Sequence, residues 1–264
     1  MKFSTIDYRV KDGIASILLN RPDQLNAVNS RMSKELPEAW NCFNDDNSAI
    51  VAIISGHGKK SFCSGADLAD LPDMDGDLGE ATLESIKWTS LQNNIWKPVI
   101  CAVNGMACGG GLHFIADSDI VIASDKATFF DTHVKVGLVA GLEPVSLSRK
   151  IPLERVLRMS LMGGGERVDA LEAKNIGLIS ELVDEDNLMD RAIEIANKIK
   201  IHSPSALAKT KKAIWDSKET GLTEALRNAW NLISDQHTHP DFNEGTNAFI
   251  EKRTPKWAPY KNEE

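Results

Sequence analysis

The chain has 264 residues, a formal net charge of −8 and a pI near 5.3. Hydrophobic residues make up 42% of the sequence and charged residues 26%, as in ordinary soluble globular proteins. The excess of negative charge argues against nucleic acid or an anionic membrane as a partner. Because no apolar stretch approaches the roughly 20 residues that span a bilayer, we expect no membrane segment.

The cysteines and the first residues bear on location. The four cysteines lack the spacing of a metal site, and two of them lie in or beside predicted strands. The first residues have neither the apolar run of a signal peptide nor the arginines of a transit peptide. We therefore expect reduced thiols and a cytoplasmic location.

The first 200 residues alternate short apolar strands with helical patterns. Lys11-Asp12-Gly13 is a hairpin signal between two of the strands. A helix is predicted over residues 30–43, in which Pro37 is unfavourable if it lies beyond the first turn. The other predicted strands are residues 50–55, 98–103 and 119–123, and the other helical patterns are residues 81–96 and 111–116.

Two glycine-rich loops follow two of these strands. The first contains Ser64-Gly65-Ala66-Asp67-Leu68, and the second, about 45 residues later, contains Gly109-Gly110-Gly111. Consecutive glycines before a helix let a ligand approach the backbone, where the first N–H groups lack helical partners. Such N–H groups suit an oxygen that gains negative charge during a reaction. A tight turn with close packing is the alternative interpretation.

The segment between Leu68 and Leu83 is acidic and rich in glycine. Its Asp73, Asp75 and Asp77 have the spacing of the first ligands in a calcium loop. The glycine at the sixth position is missing, because Leu78 stands there, so a surface loop is predicted instead.

After about residue 200 the pattern becomes entirely helical. Ser203-Pro204-Ser205 is a helix-start signal, and helices are predicted over residues 206–217, 222–235 and 241–252. Apolar stripes on these helices are typical of core packing. Their members are Trp215, Leu222, Leu226, Trp230 and Ile233.

Taken in their order along the chain, the motifs resemble those of the crotonase superfamily, also called the enoyl-CoA hydratase/isomerase family. The resemblance covers nearly the whole chain, and it includes Asn20-Arg21-Pro22, Leu25-Asn26-Ala27 and both glycine loops. It implies an α/β fold, a crotonase-like spiral of ββα units with two roughly perpendicular sheets and a helical C-terminal region. Residues 1–200 would form the core with the CoA and acyl pocket, and residues 201–264 a trimerisation and lid region. A homotrimer or a dimer of trimers is implied.

The resemblance also implies an acyl-CoA substrate, with no separate cofactor and no metal. The backbone N–H groups of Ala66 and Gly110 would polarise the thioester carbonyl and stabilise an enolate. The positions that match substrate and CoA contacts of the family are Leu25, Ala27, Ser64, Asp67, Leu68, Phe249 and Lys252.

The acid–base positions depart from the family pattern. A typical hydratase carries two glutamates, and the matching residues here are His113 and His133. The histidines could do the proton transfer, because imidazole titrates near neutral pH. Glu143 could instead supply the carboxylate, since some isomerases of the family place an acid close to this point. In a third interpretation, hydration is lost and acyl-CoA binding, hydrolysis or isomerisation remains.

We thus predict an enzyme of the enoyl-CoA hydratase/isomerase type, and a non-catalytic acyl-CoA-binding protein is the alternative. His113 and His133 are expected to face one another across the acyl pocket, with Glu143 nearby. Adjacent imidazoles should lower each other's pKa unless Glu143 pairs with one of them. Asp131 is interpreted as a turn residue.

Overall fold

The computed structural model describes residues 2–72 and 83–260. Asp73, Asp75 and Asp77, on which the predicted surface loop depends, lie outside the described residues.

Short strands and helices alternate along the described chain. The strands are Ile6–Lys11 (β1), Ile14–Leu19 (β2), Val51–Gly56 (β3), Ser61–Cys63 (β4), Val99–Val103 (β5), Met106–Cys108 (β6), Ile120–Ser124 (β7), Thr128–Phe130 (β8), Val168–Asp169 (β9) and Glu181–Val183 (β10). The helices are Ser30–Asp45 (α1), Leu112–Ala116 (α2), Leu142–Leu147 (α3), Leu153–Leu161 (α4), Ala170–Asn175 (α5), Leu188–Ile199 (α6), Pro204–Asp216 (α7), Leu222–Thr238 (α8) and Pro240–Glu251 (α9).

The larger sheet has the strand order β1-β2-β3-β5-β7-β10 in the described part of the chain. Strands β1 and β2 are antiparallel and form the predicted hairpin. Asp12 and Gly13 join them at φ values of 50° and 80°, as a two-residue type I′ turn requires. The other neighbours are parallel, and β5 is buried along its whole length. Continuous burial is typical of a parallel sheet covered on both faces.

The smaller sheet determines where the candidate site lies. Its strand order is β4-β6-β8-β9, and β4, β6 and β8 are parallel neighbours. The pairs β3/β4, β5/β6 and β7/β8 each supply one strand to each sheet, so the ββα step repeats along the chain. This arrangement confirms the predicted α/β spiral. Because parallel strands end at the same edge, the segments that follow β4, β6 and β8 lie side by side.

Helix α1 packs against the main core through an apolar face that includes Met32, Leu36, Trp40 and Phe43. The helix continues through Pro37, which lacks an N–H and leaves the carbonyl four residues earlier without its helical donor. Tertiary burial of the apolar face therefore outweighs the local penalty of the proline.

The helix predicted over residues 81–96 is wrong in its described part. Two short 3-10 turns, Leu83–Ser85 and Leu91–Asn93, stand in its place. The indole Nε1 of Trp40 donates to the Trp88 carbonyl at 2.7 Å, and the Gln92 side chain accepts from the Trp88 backbone N–H at 2.9 Å. These tertiary and side-chain bonds occupy groups that a helix would use internally.

The three predicted C-terminal helices are present as α7, α8 and α9. The apolar stripe of α8 is exposed, which differs from the core packing expected for it. Leu226 is 62% exposed and Trp230 is 64% exposed. Over residues 2–72 and 83–260, no helix combines the length and apolar character needed to cross a membrane.

Candidate active site

The two glycine loops approach each other closely. A Cβ atom on Gly65, which has φ +90°, would lie 2.9 Å from the Gly110 nitrogen. A Cβ atom on Gly110 would lie 3.5 Å from the Ala66 nitrogen and 2.9 Å from Cζ3 of Trp88. Only glycine fits both positions without displacing a neighbour. The nitrogens of Ala66 and Gly110 therefore line the same narrow gap between the loops.

Local pairing orients the Ala66 N–H. Val28 bridges Ala66 as a parallel partner: its N–H donates to the Gly65 carbonyl at 2.8 Å, and its carbonyl accepts from the Asp67 N–H at 2.8 Å. Because alternate residues of a strand point to opposite sides, the Ala66 N–H points away from Val28. Gly110 lies in the short 3-10 helix Gly109–Gly111, whose first N–H groups lack helical partners. Two such donors suit a single oxygen that becomes negatively charged.

His113 and Glu143 form a buried pair beside this gap. His113 lies on α2, directly after the three glycines, and Glu143 lies in the first turn of α3. The His113 Nε2 atom is 3.2 Å from Oε1 of Glu143, and the two side chains are 6% and 7% exposed. The first turn of a helix favours a carboxylate, because the helix dipole is positive there. Two of the predicted site residues are thus in direct contact.

A cavity of about 760 Å³ opens at His113. Its lining includes Gln92, Asp117 and Leu142. Burial raises the pKa of Asp117, although Thr89 Oγ1 donates to its carboxyl group at 2.7 Å and opposes that rise. The cavity therefore has the volume of a small-molecule pocket and a wall that carries titratable groups.

His133 is held by a different carboxylate. Oδ1 of Asp131, which is fully buried, accepts from the His133 backbone N–H at 2.8 Å, so the predicted turn is present. Oδ2 of the same side chain lies 3.0 Å from Nδ1 of His133. This bond to Asp131 raises the pKa of His133. The lowered pKa expected for His133 is therefore wrong, because Asp131 stabilises the charged imidazole more than its environment opposes it.

The His133 ring also lies near the glycine loop. A Cβ atom on Gly109 would lie 3.5 Å from Cε1 of His133. His133 follows β8 as Gly109 follows β6, so the parallel register of these strands brings the two segments together. Whether His113 and His133 face one another across the pocket stays a prediction.

Leu25 and Ala27, two of the predicted substrate contacts, lie in a loop that packs against the segment Ser64-Gly65-Ala66-Asp67. The Leu25 carbonyl accepts from the Ser64 N–H at 3.2 Å. Leu25 has φ +52°, and Ala27, two residues later, is 7% exposed. Asp67 pairs with Arg21 at 2.9 Å, which links the Leu25 loop to the Ala66 loop. Sequence reasoning did not assign Arg21 a role.

Three other predicted contact residues are exposed. Leu68 is 63% exposed at the end of its loop. Phe249 and Lys252 are exposed at the end of α9, and neither lines the cavity at His113. The contact of Phe249 and Lys252 with CoA therefore stays a prediction.

Sequence reasoning missed several residues that shape the site. Asn26 is fully buried at φ +54°, and its amide donates to the carbonyls of His57 and Ser61. The Leu25-Asn26-Ala27 motif contains this asparagine, so the sequence held a signal for it. Trp88 and Gln92 lie in the segment whose conformation was predicted wrongly. The edge of the Trp88 ring meets His113 at a centroid distance of 5.8 Å.

Residues 2–72 and 83–260 contain no group of three or more His, Cys, Asp or Glu side chains placed to hold a metal ion.

The fold and these loops define a class of protein. The family model described as enoyl-CoA hydratase/isomerase matches residues 9–260. The chain belongs to the enoyl-CoA hydratase/isomerase family, whose members with solved structures share its crotonase fold.

Individual relatives support this assignment over nearly the whole chain. The chain is 34% identical over 254 residues to (E)-benzylidenesuccinyl-CoA hydratase from Thauera aromatica, covering 95% of this chain and 97% of the relative. It is 32% identical to short-chain-enoyl-CoA hydratase from Clostridium acetobutylicum, covering 99% and 100%. A crystal structure of an enoyl-CoA hydratase/isomerase from Mycobacterium paratuberculosis superposes with a TM-score of 0.90 at 40% identity, covering 98% and 100%.

Proposed function

We propose that this protein acts on an acyl-CoA thioester through an enolate, with Glu143 as the acid–base group. The observation that carries the proposal is the buried contact between Glu143 and His113 at 3.2 Å, beside the Gly110 loop. The N–H groups of Ala66 and Gly110 would donate to the thioester oxygen in the gap between the loops. Removing one such donor typically lowers kcat by about 100- to 1,000-fold.

The chemistry follows from this arrangement. Glu143 would remove a proton from the carbon next to the thioester carbonyl, and the electron pair of that C–H bond would move onto the thioester oxygen. The two N–H groups would stabilise the resulting enolate. The carboxylic acid formed on Glu143 would then return its proton to a carbon of the acyl chain, which completes an isomerisation.

His133 and Asp131 support a second candidate mechanism. The bond to Asp131 raises the pKa of His133, so the protonated imidazole is favoured more than in a free histidine. Its ring lies beside Gly109, next to the same loop. In this mechanism His133 would deliver a proton to the substrate, replacing one of the glutamates found in typical hydratases, and the enzyme would remain a hydratase.

The proposal also covers the assembly of subunits and the binding of the CoA nucleotide. We expect a homotrimer or a dimer of trimers in the cytoplasm, in which the exposed Phe249 and Lys252 of one subunit contact the nucleotide of another. The CoA phosphates are anionic and the chain as a whole is acidic, so a local cation such as Lys252 would favour their binding. The exposed apolar stripe of α8 supports an assembly of this kind.

Glu143→Gln tests the proposal. This variant keeps the shape of the side chain and removes its basicity, so we expect kcat to fall by about 100- to 10,000-fold. Calorimetry should show unchanged affinity for CoA. Hydration, isomerisation and thioester hydrolysis are each measured on a panel of acyl-CoAs. Glu154→Gln is the matched control, because Glu154 is exposed in the first turn of α4 and should leave turnover unchanged.

The remaining outcomes distinguish the alternatives. Full turnover in Glu143→Gln, with loss in His133→Ala, would overturn the role of Glu143 and favour the histidine mechanism. Binding of acyl-CoA without turnover of any panel member would support a non-catalytic acyl-CoA-binding protein. Turnover above about 1 s⁻¹ on one substrate would exclude that alternative.

A further inference from the structure

Gln92 contacts the second nitrogen of the His113 ring, and its orientation is fixed by the backbone. The Oε1 atom of Gln92 accepts from the N–H of Trp88 at 2.9 Å and from the N–H of Thr89 at 3.1 Å. Two backbone donors on one atom identify that atom as the oxygen, since an amide nitrogen cannot accept them. The NH2 group of Gln92 therefore points away from these donors.

That NH2 group faces His113. Its nitrogen lies 3.4 Å from Nδ1 of the ring. An amide nitrogen only donates, so Nδ1 must accept and carries no proton in this arrangement. The single ring proton then resides on Nε2, which donates to Oε1 of Glu143 at 3.2 Å. The ring plane is also held by Trp88, which meets it edge-on at an interplanar angle of 82°.

We propose that Gln92 is a positioning residue that holds His113 as the neutral tautomer with its proton on Nε2. His113 then acts as a hydrogen-bond donor that orients the Glu143 carboxylate. The inference rests on the proposed function for its effect on turnover, but the protonation of the ring is a separate observable.

The charges around the ring are consistent with this role. Glu143 on α3 and Asp117 at the end of α2 are the carboxyl groups that interact with His113. Glu143 faces Nε2 as a hydrogen-bond acceptor, and the NH2 group of Gln92 faces Nδ1 as a donor. A neutral ring donates one hydrogen bond to the Glu143 carboxylate, which orients it.

Gln92→Glu reverses the polarity at one atom with little change in shape. One carboxylate oxygen can still accept from Trp88 and Thr89, so the turn is retained. The other oxygen replaces the NH2 group and accepts from Nδ1–H, which moves a proton to that nitrogen. We expect kcat to fall about 10- to 100-fold with KM nearly unchanged, comparable to the loss of partners that orient metal-binding histidines.

The direct test is a long-range ¹H–¹⁵N correlation spectrum of the full-length protein labelled at its six histidines. His113 is assigned from the signals missing in His113→Gln. The wild-type protein near pH 7.5 should show Nε2 protonated and Nδ1 unprotonated, and Gln92→Glu should show Nδ1 protonated. A wild-type ring protonated on Nδ1, or unchanged nitrogen shifts in Gln92→Glu, would overturn the inference.

Asn93→Ala is the matched control for the turn. Its side chain donates to the carbonyls of Lys87 and Thr89 at 2.9 and 2.7 Å, so this variant weakens the same turn. We expect a lower Tm and unchanged His113 nitrogen shifts. Altered shifts in Asn93→Ala would mean that the turn, rather than the Gln92 amide, sets the tautomer, and would overturn the inference. If Glu143→Gln keeps full turnover while the predicted tautomer is observed, the proposed function fails and the positioning of His113 stands.

Discussion

Asp131 and His133 are joined by two contacts from one carboxylate: Oδ1 accepts from the His133 N–H at 2.8 Å, and Oδ2 lies 3.0 Å from the ring Nδ1. The carboxylate is fully buried, whereas the His133 side chain is 22% exposed. The buried carboxylate fixes the orientation of the imidazole, and the exposed part of the ring can exchange its proton with solvent.

Asp131→Asn should lower the pKa of His133. The amide oxygen can still accept from the backbone N–H, so the turn is retained, but the negative charge is lost. The folded pKa of His133 is raised above the unfolded value of about 6.5, so this contribution to stability is fully present below about pH 6.5. It disappears as pH rises through the folded pKa. A hydrogen bond to a charged group contributes about 1.5–3 kcal/mol.

Urea unfolding of the wild type and Asp131→Asn as a function of pH checks this prediction. The difference in free energy of unfolding should be largest below about pH 6.5 and should shrink at higher pH. An NMR titration of His133 gives the two midpoints directly. Equal midpoints in the two proteins would show that Asp131 does not control the charge of His133.

Gly110→Ala should disturb the gap between the two glycine loops. The added Cβ would lie 2.9 Å from Cζ3 of Trp88, so the indole must move. We expect overpacking to lower the free energy of unfolding by about 1–3 kcal/mol and kcat to fall by at least tenfold. Gly221→Ala is the control, because a Cβ there meets nothing within 4 Å. Wild-type kcat in Gly110→Ala would contradict a role for this gap in turnover.

Asn26→Ala should destabilise the loop that precedes the Ala66 segment. Asn26 is fully buried at φ +54°, and its side chain bonds to Arg21, His57 and Ser61. We expect a loss of about 3 kcal/mol in the free energy of unfolding, from orphaned backbone groups and the strained φ. Asn26→Gly also removes the side-chain bonds, but glycine adopts the positive φ without strain, so this variant isolates the contribution of the bonds. If Asn26→Gly is fully stable in urea, the side-chain bonds do not contribute.

Trp230→Glu should weaken subunit assembly. Leu222, Leu226, Trp230 and Ile233 form one exposed apolar stripe on α8, and Trp230 is its largest member. A charge in the middle of a buried apolar interface is unfavourable by several kcal/mol, so the variant should sediment as a smaller species. Asn231→Glu, on an exposed position of the same helix, is the control. A monomeric wild-type protein at micromolar concentration would rule out the predicted trimer.

The family resemblance predicted the spiral fold, and the two glycine loops could be located because their signals are local. The strands predicted over residues 50–55 and 98–103 are present as β3 and β5, which are parallel neighbours in the larger sheet. The short strands β4 and β6, which lead directly into the two loops, were not predicted. Asp131 was identified as a turn residue, but its second contact depends on the direction of the His133 ring. Gln92 gave no sequence signal, because its contact with His113 spans 21 residues and depends on a turn that replaces the predicted helix.

The register of three very short strands sets the spacing of the entire site. Cys63 pairs with Ala107, and Cys108 pairs with Phe130, which positions the segments that follow β4, β6 and β8. Deleting one residue within any of these strands would shift its loop by about 3.3 Å and turn its side chains to the opposite face. A substitution at 113, 133 or 143 therefore changes the chemistry of the site and leaves its backbone in place, whereas a change in the length of these strands would displace the backbone itself.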